Sequence, residues 1–231
     1  VENHLRCRYH GRRFGLDGRF ASMPEFEGTA NFPSRTDDLP HVRLEQWGSF
    51  LFAALDPLCS FDEWIGPMRQ RIGWLPINDC RLDASRSRDY LVACNWALYC
   101  ENYLEGFHIP YVHAGLAGAL DYDAYRTELH RYSNVQIGVG SSGDSVLTPP
   151  PESPDRGKSI AGYYFWLFPN LMFNVYPWGI SINVVRPLGV VAHGAFHGVA
   201  GVPQGDEAHA LHHAAVAHDQ QRGVLAERLA F

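Results

Sequence analysis

The chain has 231 residues, with 19 Lys+Arg against 25 Asp+Glu and so a formal charge of −6. A hydrophobic fraction of 46% with 13% aromatics excludes general disorder, which goes with few aromatics and much charge. The acidic balance speaks against a nucleic-acid partner. The longest apolar-rich run, 163–185, is interrupted by Pro169, Asn170, Asn174, Pro177 and Asn183, so no membrane-spanning helix is predicted.

In chain order, residues 1–20 form a turn-rich stretch punctuated by Gly11, Gly15 and Gly18, with a hairpin turn over 16–19. Residues 21–40 read as loop. Residues 42–45 alternate as a half-buried strand does, and 48–55 form a more continuous apolar strand that stops at Asp56-Pro57. A helix is predicted over 61–71, a strand over 88–95 and a helix over 96–107, which is free of glycine until Gly106. Residues 140–159 collect Gly, Ser, Pro and Asp without apolar period and read as a mobile surface loop of the kind used as a lid. Strands are predicted over 162–167, 171–176 and 180–185, separated by Pro-Asn and Pro-Trp-Gly turns, with a fourth over 190–202. An Ala-rich helix is predicted over 208–229. Strands and helices in blocks, without strict alternation, point to an α+β fold.

Five cysteines, an odd number, and no visible signal peptide predict a reducing compartment, the cytoplasm, and no disulfide framework. The chain opens at Val1 inside a motif-like stretch, so a longer N-terminus is expected to precede it. The twelve histidines are unusual in number. Cys7 and His10 have C-x-x-H spacing, which lets a thiolate and an imidazole on one tight turn reach one metal; zinc is the commoner occupant of such pairs.

The stretch from Glu101 to His113 is the other chemical concentration. On a continuous helix Glu101, Glu105 and His108 share one face. His108 and His113 would lie about 140° apart on such a helix, unlike the paired histidines of zinc peptidases. Pro110 is expected to end or kink the helix near Ile109 and turn His113 back towards His108. Taken alone, these residues fit equally a capped helix end with two ordinary histidines.

The string Cys-Arg-Tyr-His-Gly-Arg-Arg-Phe-Gly-Leu-Asp-Gly resembles the second half of the Rieske iron–sulfur motif, whose Cys-x-His half lies upstream. The string from Asn95-Trp96 through Glu101-Asn102-Tyr103-Leu104-Glu105-Gly106-Phe107-His108 to His113 resembles the catalytic signature of the large subunits of Rieske non-haem iron ring-hydroxylating oxygenases. Strands around Trp47 to Phe52, Tyr164 to Met172 and Tyr176 to Trp178 are similar to those of the same family.

The resemblance implies a two-part chain: residues 1–57 the C-terminal part of a Rieske [2Fe–2S] domain, and 58–231 a helix-grip catalytic domain with a curved antiparallel sheet, incomplete at its C-terminus. It implies Cys7 and His10 as ligands to the two irons of the cluster. It implies His108, His113 and a late carboxylate as ligands to mononuclear Fe(II), a facial triad with positions left for dioxygen. Asp219 is the expected carboxylate, with Glu227 in reserve and His218 as a competing group. Glu105 is implied as the carboxylate that holds the first iron histidine and relays electrons. The implied partners are a ferredoxin or an NAD(P)H-dependent reductase, O2, a small organic substrate and further copies of the chain in a homotrimer, with neither nucleic acid nor membrane. The implied activity is hydroxylation or oxidative demethylation, as in aromatic hydrocarbon catabolism. Two alternatives stand beside it: a non-catalytic module binding hydrophobic ligands, and a zinc hydrolase built on Glu105, His108 and His113.

Overall fold

A computed structural model describes residues 3–140, 145–188 and 194–202. The chain divides into two compact units. One comprises Val1–Gln46 with Phe50–Leu58, the other Trp47–Ser49 with Cys59–Phe231.

In the first unit, β1 (His4–Arg6), β2 (Arg13–Gly15) and β3 (Phe20–Ser22) form an antiparallel sheet in that order. The expected hairpin turn joins β2 to β3, and Gly18 takes the positive φ of +83° that the turn requires. Such a small unit has little core. Phe14 is buried, and the Arg12 guanidinium lies 5.3–5.6 Å from the ring centroids of Phe14, Phe20 and Phe32 while its Nη2 bonds Asp37 at 2.7 Å. β4 (Arg43–Trp47) and β5 (Phe50–Ala54) pair as a two-stranded ribbon.

The second unit is built on a seven-stranded antiparallel sheet. Its strands are β6 (Arg81–Val92), β7 (Arg126–Leu129), β8 (Ser133–Val139), β9 (Ile160–Leu167), β10 (Leu171–Tyr176), β11 (Gly179–Pro187) and β12 (Gly194–Val202). Their spatial order is β6-β12-β11-β10-β9-β8-β7. From β7 to β12 the strands run as a meander, each paired with the one before it, and β12 then returns to pair with β6. This is the α+β arrangement that the block pattern implies.

Helix α1 (Phe61–Ile72) lies against β8 and β9. Its ends follow from sequence: the Ser60 hydroxyl accepts from the Glu63 N–H at 3.2 Å, Asp62 and Glu63 sit in the first turn, and Arg69 and Arg71 sit in the last. Ile65, Met68 and Ile72 are fully buried on one face. Helix α2 (Trp96–Tyr103) lies against β11 and β12. Cys100 meets Met172 and Val185 there, with Trp96, Tyr99, Tyr103 and Trp166 around them.

Three expectations change. The helix predicted over 96–107 stops at Tyr103, because the chain beyond it is held by side chains of the sheet. Two strands, β7 and β8, were not foreseen; β8 is buried on both faces although its polar and apolar residues alternate as on a half-exposed strand. Within the segment predicted as a mobile surface loop, Ser153 and Asp155 are buried, while most of residues 151–159 are exposed. Asp155 is 1% exposed, with its carboxylate against Arg71 Nη1 at 2.7 Å, Lys158 Nζ at 2.9 Å and the Tyr163 hydroxyl at 3.1 Å. Those partners offset the cost of taking the carboxylate out of water. Among the described residues no helix is long and apolar enough to cross a membrane.

Candidate metal centre

The Cys7–His10 turn is organised by backbone. The Cys7 N–H donates to the Arg12 carbonyl at 2.8 Å, and the Gly11 N–H returns to the Cys7 carbonyl at 3.0 Å. Gly11 has φ +73°, and a Cβ there would meet Pro24 Cγ at 3.3 Å, so the turn calls for glycine. The Tyr9 and His10 N–H groups point at the Cys7 sulfur. They draw its pKa below the usual thiol range, outweighing the rise from partial burial, and Arg12 assists. The Tyr9 and His10 rings meet edge-on at 3.9 Å. The turn thus offers a thiol whose ionisation is favoured, beside an exposed imidazole.

The second constellation is set up by α2. The Asn95 side chain accepts from the Ala97 N–H at 2.9 Å and starts the helix. The helix closes at Leu104, whose N–H reaches the carbonyls of Cys100 and Glu101 at 3.1 Å. Glu101, on the helix, is therefore not on a common helical face with Glu105 and His108, which lie beyond its end. That expectation is corrected. Pro110 also acts differently from the expectation: it sits in the first turn of α3 (Ile109–Val112), where its missing N–H costs nothing, and it opens that helix. The break falls earlier, over 104–107.

In that break Glu105 uses both oxygens locally. Oε1 meets His108 Nδ1 at 2.5 Å, and Oε2 accepts the Phe107 N–H. Burial pushes the Glu105 carboxyl up, but the His108 contact and the Phe107 N–H outweigh it and hold the pKa below the usual range. With Nδ1 engaged, Nε2 is the His108 nitrogen left to ligate. His113 links α3 to α4 (Ala114–Ala119), with φ −113° and ψ 64°. The one-turn helix and this kink turn its ring back, so that the His108 and His113 centroids lie 4.9 Å apart at 68°. Phe107 and Tyr111, on the same segment, are 79% and 88% exposed.

Among the described residues no three His, Cys, Asp or Glu side chains are grouped closely enough to hold a metal ion. Glu105 does not complete a triad with His108 and His113, because both its oxygens are committed. Asp219, with Glu227 and His218, lies outside the described residues.

Sequence reasoning missed the residues that hold this break in place. The Gln136 Nε2 donates to the Tyr103 carbonyl, and the Asn134 Nδ2 donates to the Leu104 carbonyl at 3.2 Å. The Tyr125 hydroxyl donates to Gln136 Oε1 at 2.8 Å. The Tyr125 ring packs on Gly106, where a Cβ would come within 2.5 Å of its Cε1. The Tyr103 hydroxyl is bonded to Asn174 Oδ1 at 2.6 Å. Burial, with the Tyr164 and Glu105 charges, pushes the Tyr125 hydroxyl up, so it stays a neutral donor. The available signal was Asn134 and Gln136 alternating with apolar residues in β8. That pattern reads as a solvent face, yet both are buried.

Residues 73–218, more than half of the chain, match the family described as the ring hydroxylating alpha subunit (catalytic domain). The chain is 32% identical over 196 residues to the choline monooxygenase, chloroplastic, of Arabidopsis thaliana, covering 79% of this chain and 44% of that protein. It is 30% identical over 180 residues to the carnitine monooxygenase oxygenase subunit of Escherichia coli K12, covering 77% of this chain and 46% of that one. It therefore spans less than half the length of either relative. A solved quaternary ammonium Rieske monooxygenase in complex with an inhibitor superposes with a TM-score of 0.68 at 20% identity, covering 100% of this chain and 58% of the other. A naphthalene 1,2-dioxygenase from Rhodococcus sp. does so with a TM-score of 0.60 at 16% identity, over 87% and 55%. At those identities the superpositions establish a shared fold, and the family match, on a chain with this helix break and histidine pair, establishes the lineage: the chain belongs to the ring-hydroxylating oxygenase alpha subunits.

Proposed function

We propose that this chain is part of a Rieske-type oxygenase component that uses O2, with electrons from a ferredoxin or an NAD(P)H-dependent reductase, to hydroxylate or oxidatively demethylate a small organic substrate. The observation that carries the reading is the 104–113 segment, where two imidazoles lie 4.9 Å apart, edge-on, and a carboxylate engages Nδ1 of the first. The donor set fits ferrous iron. His108 and His113 would supply neutral nitrogen and Asp219 the carboxylate, a set that leaves coordination positions open. Bound there, iron supplies the dioxygen-activating chemistry that the side chains lack. Glu105 fixes the tautomer of His108 and aims its Nε2. Cys7 and His10 would hold one iron each of a [2Fe–2S] cluster, and a turn that aims two backbone N–H groups at the Cys7 sulfur suits that role. Residues 1–57 are then the remainder of a Rieske domain and 58–231 the catalytic domain, in a component that works as a homotrimer. All five cysteines are unpaired thiols, which supports a reducing compartment such as the cytoplasm.

The substrate class follows from chemistry and kinship together. Tyr176 at the end of β10 and Trp178 in the following turn stack at 4.7 Å, and Tyr164 meets Tyr176 edge-on at 5.7 Å. Aromatic faces of this kind attract quaternary ammonium groups. Both curated relatives named above act, by their names, on molecules that carry one. A small trimethylammonium compound is therefore the substrate we propose.

The test uses the full protein. His108→Ala should remove mononuclear iron and turnover while the EPR signal of the reduced cluster persists. Retained mononuclear iron overturns the metal assignment. For the substrate, O2 uptake should couple to choline-like or carnitine-like compounds and not to the neutral tert-butyl isosteres. Equal coupling to both would remove the trimethylammonium reading.

A further inference from the structure

The C-terminal carbonyls of any helix lack intrahelical partners, and most helices hand them to a glycine cap or to water. Helix α2 does neither. Leu104 stays in the right-handed helical region at φ −72° and ψ −12°, and the carbonyls of Tyr103 and Leu104 are taken up by two side-chain amides of a single strand. Asn134 and Gln136 are two apart on β8 and so share a face. They are 3% and 2% exposed. Asn134 brings its donor to this bond although its Oδ1 has no partner among the described residues.

Gln136 does more than accept a helix end. Its Nε2 holds the backbone just before Glu105, and its Oε1 holds the hydroxyl of Tyr125, whose ring presses on Gly106 just after it. Glu105 is thus gripped on both sides by one amide, directly on one side and through an aromatic ring on the other. Glu105 in turn engages His108 Nδ1. A metal-ligating imidazole must be held to about 0.5 Å and 10–20° for a productive site, and this short chain of contacts is where such precision originates. We propose that Gln136 is the positioning residue of the iron site, acting through Tyr103, Tyr125 and Glu105 to set the direction in which His108 presents Nε2. The proposal rests on the metal reading of His108 and His113 given above.

The experiment separates the two. Four versions of the full protein are compared: His108→Ala; Gln136→Met, which keeps the side-chain length and loses both hydrogen bonds; Tyr125→Phe, which keeps the ring on Gly106 and loses the hydroxyl; and Asp155→Asn, which disturbs the buried charge cluster and leaves the Gln136 bonds in place. The readouts are Co(II) affinity at the mononuclear site by titration, the Co(II) d–d absorption bands, and the thermal midpoint. Gln136→Met is expected to weaken Co(II) binding by about 10–100-fold and to shift the bands, as loss of a contact behind a ligand does. Tyr125→Phe should move both in the same direction by less. Asp155→Asn should lower the midpoint and leave the bands unchanged. If His108→Ala loses Co(II) while Gln136→Met and Tyr125→Phe bind it with native affinity and bands, the positioning role is overturned and the metal reading stands. If His108→Ala binds Co(II) as the parent does, the metal reading itself fails. Should Gln136→Met not fold, Tyr125→Phe decides the matter alone.

Discussion

Two short segments, one carrying Cys7 and His10 and the other Glu105, His108 and His113, are held by opposite means. The Cys7–His10 turn is shaped by its own backbone: two N–H groups on a sulfur, a return bond from Gly11, and a glycine at positive φ. The break over 104–107 that leads into His108 and His113 is held largely from outside its own stretch. It joins a helix that stops at Tyr103 to a helix of one turn, and it takes its shape from the amides of β8 and the ring of Tyr125. A motif closed by local hydrogen bonds shows its geometry in its spacing. A motif held by distant strands shows only its residue types.

The comparison is sharpest where the effect is largest. His113→Ala should take mononuclear iron and turnover to background while leaving the reduced-cluster EPR of the full protein intact, as iron analysis and EPR would read. Loss of both signals together would mean that the two segments are not independently held.

Asp155→Asn probes the second unit away from the imidazoles. Burial pushes the Asp155 carboxyl up, but the bond from Lys158 and the Arg71 guanidinium outweigh it, with Tyr163 assisting, and hold it low. A carboxyl depressed on folding contributes stability that is complete above its unfolded value of about 3.9 and is lost as pH falls through the lower folded value. The variant should lose about 3–5 kcal/mol at neutral pH, as the breaking of a buried ion pair does. Its stability should also fall less steeply than the parent's as the medium is acidified below about pH 4, in urea titrations across pH. An unchanged acid limb would show that Asp155 is not among the groups that drive acid unfolding.

Glu105→Gln keeps the size of the side chain and removes its charge. Metal affinity should drop by about 10–100-fold, with little change in thermal midpoint. A native dissociation constant for Co(II) would detach Glu105 from the site.

The smallest effects come from two glycines, one in each segment. Gly106→Ala puts a Cβ into the Tyr125 ring and should cost about 1–3 kcal/mol of stability while also weakening metal binding. Gly11→Ala forces a side chain into the left-handed region and should cost about 1–2 kcal/mol, with the mononuclear site unaffected. If Gly11→Ala disturbs the mononuclear site as Gly106→Ala does, the contrast between local and distant support is wrong.

Much of the scaffold was legible in residue pattern. The strand predicted over 171–176 is β10 to the residue, and the helix predicted over 61–71 is α1 less one residue, since Ser60, the acidic first turn and the basic last turn mark it. Glu105, His108 and His113 stand out by type and spacing, and the structure brings them together, as it places Cys7 and His10 on one turn. Asp219 lies outside the described residues, so its placement adds nothing to that comparison.

Sequence alone therefore determined which groups are available for chemistry and where most strands run, because turn residues, caps and apolar period act over a few positions. Tertiary structure alone decided where α2 stops and that Asp155 is buried. Both depend on partners far along the chain: Asn134 and Gln136 for the helix end, Arg71 for the carboxylate. A hydrogen bond across the sheet leaves no period in the sequence, so it is found only when the strands have come together.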